Sequence, residues 1–155
     1  MLYSIVLILH SFVRWVLVIV AAVAVARALA GWLGKKEWTV ADSRLGMLLS
    51  ASADVQMLLG LGLYLFLSPL TQPAFKDFGA AMSNPALRYC GVEHIFIMVV
   101  AVVLIHLGQT LSKRAATAVK YKWAAIFFGL ALVAMLAAIP WPFLAMGSGR
   151  PWLRV

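Results

Sequence analysis

Apolar and polar residues are segregated along this chain into long blocks rather than alternating position by position. Most of the sequence falls into four apolar stretches, each bounded by polar or charged residues. A helix needs roughly 20 residues to cross a hydrocarbon core of about 30 Å, and each stretch is close to this length or longer. The predicted spans are residues 3–30, 46–68, 89–111 and 122–139.

We predict that these spans are α-helices packed as one bundle in a membrane. Backbone N–H and C=O groups find no water in the hydrocarbon region, so a spanning segment must satisfy them internally, as a helix does. The expected fold class is therefore an all-α integral membrane four-helix bundle, with residues 1–155 forming a single transmembrane domain. The longer connection, about 69–88, contains apolar residues and is expected to lie on the membrane surface or over the mouth of the bundle.

The composition supports a membrane location. Hydrophobic residues make up 65% of the 155 positions and charged residues 12%. A soluble domain of this length could not bury so much apolar surface, so lipid is the expected surroundings. The single cysteine, Cys90, excludes an intrachain disulfide and a thiolate metal cluster. The first apolar stretch is too long for a signal-peptide core, so we count it as a span.

The formal net charge of +8 indicates orientation rather than nucleic-acid binding, because the basic residues lie in short loops between spans. Cytoplasmic loops carry the excess of Lys and Arg in membrane proteins. Both termini and the longer connection are therefore predicted on the outer, periplasmic side of a bacterial inner (plasma) membrane, which the chain crosses several times. The basic residues on the predicted inner side are Arg27, Lys35, Lys36, Arg44, Lys113, Arg114, Lys120 and Lys122, and those on the outer side are Lys76, Arg88, Arg150 and Arg154.

Two histidines inside the spans have nearly the same predicted depth. Ionisable groups are costly within a bilayer and are therefore candidates for function. With a rise of about 1.5 Å per residue, His10 lies about 7 Å and His94 about 9 Å from the midplane, both towards the outside. A b haem takes two axial imidazoles at one level, from different helices. We predict one haem b with His10 and His94 as its metal ligands. The alternative is that each imidazole is a buried structural group bonded to a carbonyl or a polar neighbour.

Two arginines are candidate partners for the haem propionates. Arg14 lies near the centre of the first span, where it suits either an ion pair with Asp54 or an inward-pointing propionate. Arg88 and the C-terminal arginines suit outward-pointing propionates better. Glu93 is expected at the mouth of the bundle, paired with Arg88 or Arg150. Gly60, Gly62 and Gly91 offer space where a porphyrin would enter between helices.

The third histidine needs a separate explanation. His106 follows His94 by twelve residues, a rotation of about 120° around the helix. The chain contains three histidines in all, so a second bis-histidine haem is excluded. Asp54 and Gln56 have a similar depth to His106. Together these residues form a candidate site for a quinone head group or for proton transfer, whereas the alternative for Asp54 is the ion pair with Arg14.

Four short motifs resemble a known family. They are Leu9-His10-Ser11-Phe12-Val13-Arg14-Trp15, Gln56-Met57-Leu58-Leu59-Gly60, Val92-Glu93-His94 and Ile139-Pro140-Trp141-Pro142. Together they resemble small four-span bacterial membrane proteins generally labelled cytochrome b or cytochrome b-like, over nearly the whole chain. The resemblance implies that His10 and His94 are shared positions. The better-known cytochrome b subunits of hydrogenases and formate dehydrogenases carry more histidines, which argues against a two-haem electron path across the membrane.

The sequence thus leads to two main hypotheses. The first is a membrane b-type cytochrome that transfers electrons through one haem near the outer side, between a quinol and a periplasmic redox protein. Any enzymatic role would be as a component of a quinol-linked oxidoreductase. The alternative is a non-catalytic membrane subunit of a larger respiratory or photosynthetic complex, with histidines that are structural or bind a chlorophyll-type pigment. Other membrane subunits are expected partners in both, and nucleic acid in neither. Transport is less favoured, because the chain shows no internal repeat and no paired methionines.

Overall fold

The computed structural model describes residues 1–143 and Trp152, and this part of the chain is helical, with turns and short connections between the helices. The helices are α1 (Leu2–Leu33), α2 (Val40–Gly62), α3 (Gln72–Lys76), α4 (Phe78–Ser83), α5 (Pro85–Arg88), α6 (His94–Arg114) and α7 (Thr117–Ala138). The described residues also form two π-helical turns: Leu63–Leu67 extends α2, and Tyr89–Glu93 leads into α6. The predicted all-α class is confirmed for the described residues.

Four helical segments in this part of the chain are long and apolar enough to cross a membrane. They are Leu2–Leu33, Val40–Leu67, Pro85–Arg114 and Val119–Ala138, which confirms the prediction of a multi-pass membrane protein. Large side chains such as Phe12, Leu58 and Val133 are exposed on the outside of these helices. An apolar exterior of this kind suits contact with lipid.

The second span begins six residues earlier than predicted because a capping box starts the helix. The Thr39 hydroxyl accepts a hydrogen bond from the Asp42 N–H, and the Asp42 carboxylate accepts one from the Thr39 N–H at 2.8 Å. These reciprocal bonds satisfy two backbone donors that the first turn of a helix leaves without partners. A hydropathy pattern registers only the apolar part of the helix, so it missed this polar first turn.

The four spanning helices form a closed ring in which α1 packs on α2 and α7, and α6 packs on α7 and α2. Consequently α1 and α6 occupy opposite corners of the bundle. The connections after α1 and after α6 are short, so the helices they join are antiparallel. We call the end that carries these two connections the basic end, and the end that carries α3, α4 and α5 the loop end.

Small residues fill the core towards the basic end. Ala21, Ala24 and Ala28 of α1 pack in one cluster with larger side chains such as Ile105 and Phe128. Alanine and glycine let helix backbones approach closely, which is the main source of packing between membrane helices. At Gly108 a Cβ atom would lie 2.7 Å from the Phe128 ring, so α6 and α7 are in direct contact there.

A buried carboxylate joins three helices near the basic end. Asp42 of α2 accepts hydrogen bonds from Arg27 of α1, from the Tyr121 hydroxyl of α7 at 2.7 Å and from the Thr39 hydroxyl at 2.6 Å. The side chain of Asp42 is buried, whereas that of Arg27 is half exposed. The basic end is therefore closed by polar bonds as well as by small-residue packing.

Candidate functional site

The interior of the bundle opens into a cavity towards the loop end. Its volume is about 220 Å³, and all four spanning helices line it. His10 of α1 and His94 of α6 are both in the lining, although their helices occupy opposite corners of the ring. The two histidines that were predicted to lie at the same depth in the membrane therefore line the same cavity.

His94 is held by a backbone carbonyl of the neighbouring helix. Its Nδ1 lies 3.0 Å from the carbonyl oxygen of Ala138, the last residue of α7. Because a carbonyl oxygen can only accept, Nδ1 carries the ring proton and the lone pair lies on Nε2. The Tyr89 hydroxyl is 3.2 Å from the same Nδ1 and donates to the same carbonyl. The imidazole is therefore fixed both in tautomer and in direction.

His10 is contacted by a glutamine of α2. The Gln56 amide nitrogen lies 3.2 Å from His10 Nε2 and donates to the His10 carbonyl at 3.1 Å. An amide NH₂ group only donates, so Nε2 accepts and Nδ1 carries the proton. That Nδ1 is buried, and no described residue is hydrogen-bonded to it. A Cβ atom on Gly60 would lie 3.2 Å from His10 Cε1, so the absence of a side chain at Gly60 makes room for the imidazole.

Arg14 also lines the cavity, and its partner differs from the one predicted. Its Nη2 donates to the Trp152 carbonyl at 2.7 Å, and the Trp15 indole donates to the same oxygen at 2.9 Å. The Nε of Arg14 is buried and has no hydrogen-bond partner among the described residues. The predicted ion pair with Asp54 is wrong, because Asp54 points towards α6 and is bonded to His106 instead.

The second candidate site contains two of its three predicted residues. His106 Nε2 lies 2.8 Å from Asp54 Oδ1, and the two side chains are 47% and 52% exposed. Gln56, predicted to join them, is buried and faces His10. Two residues along a helix correspond to a rotation of about 200°, so Asp54 and Gln56 point to opposite sides of α2. The grouping of all three residues is therefore corrected to a pair.

Arg88 lies outside the cavity lining. Its Nε donates to Glu93 Oε1 at 2.7 Å, which confirms the predicted pairing of Glu93 at this end of the bundle. A direct role of Arg88 in cofactor binding finds no support in this arrangement, because its guanidinium is engaged away from the cavity. Arg150 and Arg154, the other candidates at this end, lie outside the described residues.

Two tyrosines in the π-helical turns were not among the predicted site residues. Tyr64 and Tyr89 both line the cavity, one from each turn. The Tyr64 hydroxyl donates to the Gly91 carbonyl at 2.8 Å, which joins the two turns directly. Single π-helical turns are often found at functional sites. A hydropathy pattern does not distinguish a π-helical turn from an α-helix. The only sequence feature that could have indicated these residues is the position of a tyrosine near the ends of two spans.

The cavity offers fewer metal-ligating side chains than a metal ion held by protein ligands alone usually has. Within the part of the chain that the structure describes, no group of three or more His, Cys, Asp or Glu side chains could hold a metal ion. Two imidazoles are fewer than the four ligands of a structural zinc site. They match the number of axial ligands of a metalloporphyrin, whose ring supplies the other four nitrogens.

Comparisons of this chain with protein-family models, with curated proteins and with solved structures found no match. The resemblance to cytochrome b-like proteins stays a prediction that rests on the four motifs. A helical bundle by itself is compatible with many activities, so the function of this protein depends on the chemistry of its site.

Proposed function

We propose that this protein is a membrane b-type cytochrome that binds one haem in the cavity, with His10 and His94 as the axial ligands. One observation carries the proposal: two histidines from opposite corners of the bundle line the same interior cavity. Cofactor sites in helix bundles are built in this way, from side chains that project inward from facing helices.

The chemistry of the two histidines supports the assignment. Metal-binding histidines almost always donate the remaining ring N–H to a carbonyl, a carboxylate or water, and His94 does so to Ala138. His10 would exchange its Gln56 hydrogen bond for the bond to iron, while the Gln56 amide keeps the His10 carbonyl as an acceptor. The Nε of Arg14, which has no partner within residues 1–143 and Trp152, provides a cationic donor for a propionate.

The cavity would have to enlarge to hold a porphyrin. A volume of about 220 Å³ is below the roughly 300–1,000 Å³ of typical ligand pockets, and a porphyrin needs more room. Met57, Met98 and Met135 line the cavity. Methionine side chains are unbranched and repack readily around irregular shapes. We propose that these three side chains move aside when haem binds.

The proposed location is a bacterial plasma membrane, with the basic end in the cytoplasm. The excess of Lys and Arg in the short connections supports this orientation. The cavity then lies in the outer half of the membrane, where a periplasmic protein and a membrane quinol are the proposed partners. A bound haem would supply one-electron redox chemistry. The chain itself positions the ligands and surrounds the site with apolar side chains that exclude water.

A reduced-minus-oxidised visible spectrum of the detergent-purified protein tests the proposal. We expect a sharp α-band typical of b haem, and one haem per chain by pyridine haemochrome assay, because the cavity offers one pair of axial imidazoles. A protein that is colourless as purified and does not take up added haemin would contradict the cytochrome assignment. Chlorophyll-type absorption bands would favour the pigment-binding alternative instead.

A valine at Gly60 should weaken haem binding. The new side chain would meet His10, since even a Cβ atom there lies 3.2 Å from its ring, and the imidazole would be displaced. We expect Gly60→Val to reduce haem affinity at least about tenfold, the size of effect seen when the support of a metal ligand is disturbed. Haemin titration followed by absorbance measures the change.

Gly62 provides the matched control on the same helix. Gly62 was predicted to offer space for a porphyrin, but it is absent from the cavity lining, and among the described residues a Cβ atom there meets nothing within 4 Å. Gly62→Val should therefore leave haem affinity unchanged. Equal haem affinity in the two valine variants would show that His10 is not held against Gly60 in the haem-bound protein.

A further inference from the structure

Asp54 and His106 form a polar pair on the outer surface of two spanning helices. The pair joins α2 to α6 by a hydrogen bond of 2.8 Å, and about half of each side chain is exposed. Leu58 lies one turn along α2 from Asp54, and Val103 lies one turn along α6 from His106. Both side chains are more than half exposed. The pair therefore interrupts an apolar surface of the kind that faces lipid, where ionisable groups are costly and usually functional.

The pair lies against the wall of the cavity. Ala53, adjacent to Asp54, and Val102, one helical turn or about 6 Å from His106, both line the cavity. The pair itself is absent from the lining and faces away from the interior. A ligand that reached Asp54 and His106 from the lipid would therefore be separated from the cavity by one layer of side chains.

The hydrogen bond within the pair uses one atom of each side chain, Nε2 of His106 and Oδ1 of Asp54. The second atom of each group remains for a ligand: Nδ1 of His106, an imidazole nitrogen that can donate or accept, and Oδ2 of Asp54, an oxygen that can accept. Among the residues that the structure describes, neither of these two atoms has a hydrogen-bond partner. The pair therefore offers two polar atoms to a ligand in an otherwise apolar surface.

We infer that Asp54 and His106 bind the head group of a lipid-soluble quinol that arrives laterally from the membrane. A hydroxyl group both accepts and donates, so one quinol hydroxyl can accept from His106 Nδ1 and donate to Asp54 Oδ2. The carbonyl of an oxidised quinone can only accept and would satisfy half of the pair. The choice of a quinol among hydroxyl-bearing lipids rests on the proposed function, because the pair adjoins the cavity assigned to haem.

Equilibrium binding of a radiolabelled short-tailed benzoquinol to the protein in lipid nanodiscs, kept anaerobic, tests this inference. Wild type should bind saturably. The double variant Asp54→Leu with His106→Leu should raise the dissociation constant at least tenfold. It removes both polar groups together and leaves neither without its partner, so a lipid-facing surface should tolerate it. Wild-type affinity in this variant would overturn the inference.

Two further variants separate the pair from its surroundings. The exchange of Asp54→His with His106→Asp keeps one donor and one acceptor in place and should bind within about threefold of wild type; loss of binding in this variant, if it is folded by circular dichroism, would count against the proposed hydrogen bonds. Thr110→Leu changes an exposed residue one turn along α6 and should bind normally. Equal competition by excess diacylglycerol would reject a quinol in favour of any lipid hydroxyl.

The haem spectrum of the same samples distinguishes this inference from the proposed function. Saturable quinol binding that depends on the pair, in a protein without a haem band, would contradict the cytochrome assignment and support the quinol site. A normal haem band without saturable quinol binding would contradict the quinol site and leave the cytochrome assignment intact.

Discussion

Replacement of either His10 or His94 by alanine should abolish the b-haem α-band. Each variant removes one of the two imidazoles that line the cavity, and a single remaining axial ligand cannot maintain a six-coordinate low-spin haem. We expect haem content in the purified variants to fall to background, as measured by pyridine haemochrome assay. His106→Ala is the matched control, because it removes a histidine that lies outside the cavity lining and should retain the band.

Loss of the band must be separated from loss of the fold. Helix content by circular dichroism and elution in gel filtration should match wild type, since the small side chain leaves the apolar helix faces unchanged. Added imidazole should restore part of the band in His94→Ala by occupying the vacated space. Retention of the full band in both alanine variants would refute the proposed ligands.

Asp42→Ala should cause a large loss of stability at the basic end of the bundle. The carboxylate accepts hydrogen bonds from three residues on three segments of the bundle. Loss of a helix cap costs about 1 kcal/mol, and loss of a hydrogen bond to a charged acceptor about 1.5–3 kcal/mol. The half-exposed Arg27 adds little, because exposed ion pairs contribute about 0–1 kcal/mol. We expect a total of about 3 kcal/mol.

Unfolding in mixed detergent micelles, followed by circular dichroism, measures this loss. Asp77→Ala is the matched control, because Asp77 also caps a helix, by accepting from the Ala80 N–H at 2.9 Å. Unlike Asp42, Asp77 is exposed, and the helix that it caps is the short α4. We expect it to cost no more than about 1 kcal/mol. Equal losses in the two variants would mean that Asp42 acts only as a cap and does not hold α1 and α7.

The sequence predicted correctly only those contacts of the candidate site that depend on the depth of a residue along its helix. His10 and His94 could be paired from the sequence, because residue number measures depth at a constant rise per residue. Depth also suggested an Arg14–Asp54 pair and a group of Asp54, Gln56 and His106. These failed in part, because contacts depend on which side of a helix faces which neighbour. Asp54 faces α6, whereas Gln56 faces α1.

The tyrosine contacts were beyond the reach of sequence patterns. Tyr89 approaches His94 because a π-helical turn precedes α6 and places its hydroxyl at the Ala138 carbonyl. That carbonyl belongs to the end of α7, 49 residues further along the chain. No local pattern contains such a contact, since it depends on how α6 and α7 pack against each other.

The amino-acid sequence alone determined the helical class, the four spans and the separation of basic from apolar segments. These properties follow from transfer free energy and backbone hydrogen bonding, which act on each segment independently of its neighbours. Only the tertiary structure decided that α1 and α6 stand at opposite corners, that their histidines share one cavity, and that Asp54 and His106 face outward. Those features depend on helix rotation and neighbour choice, which are determined by side-chain packing between segments far apart in sequence.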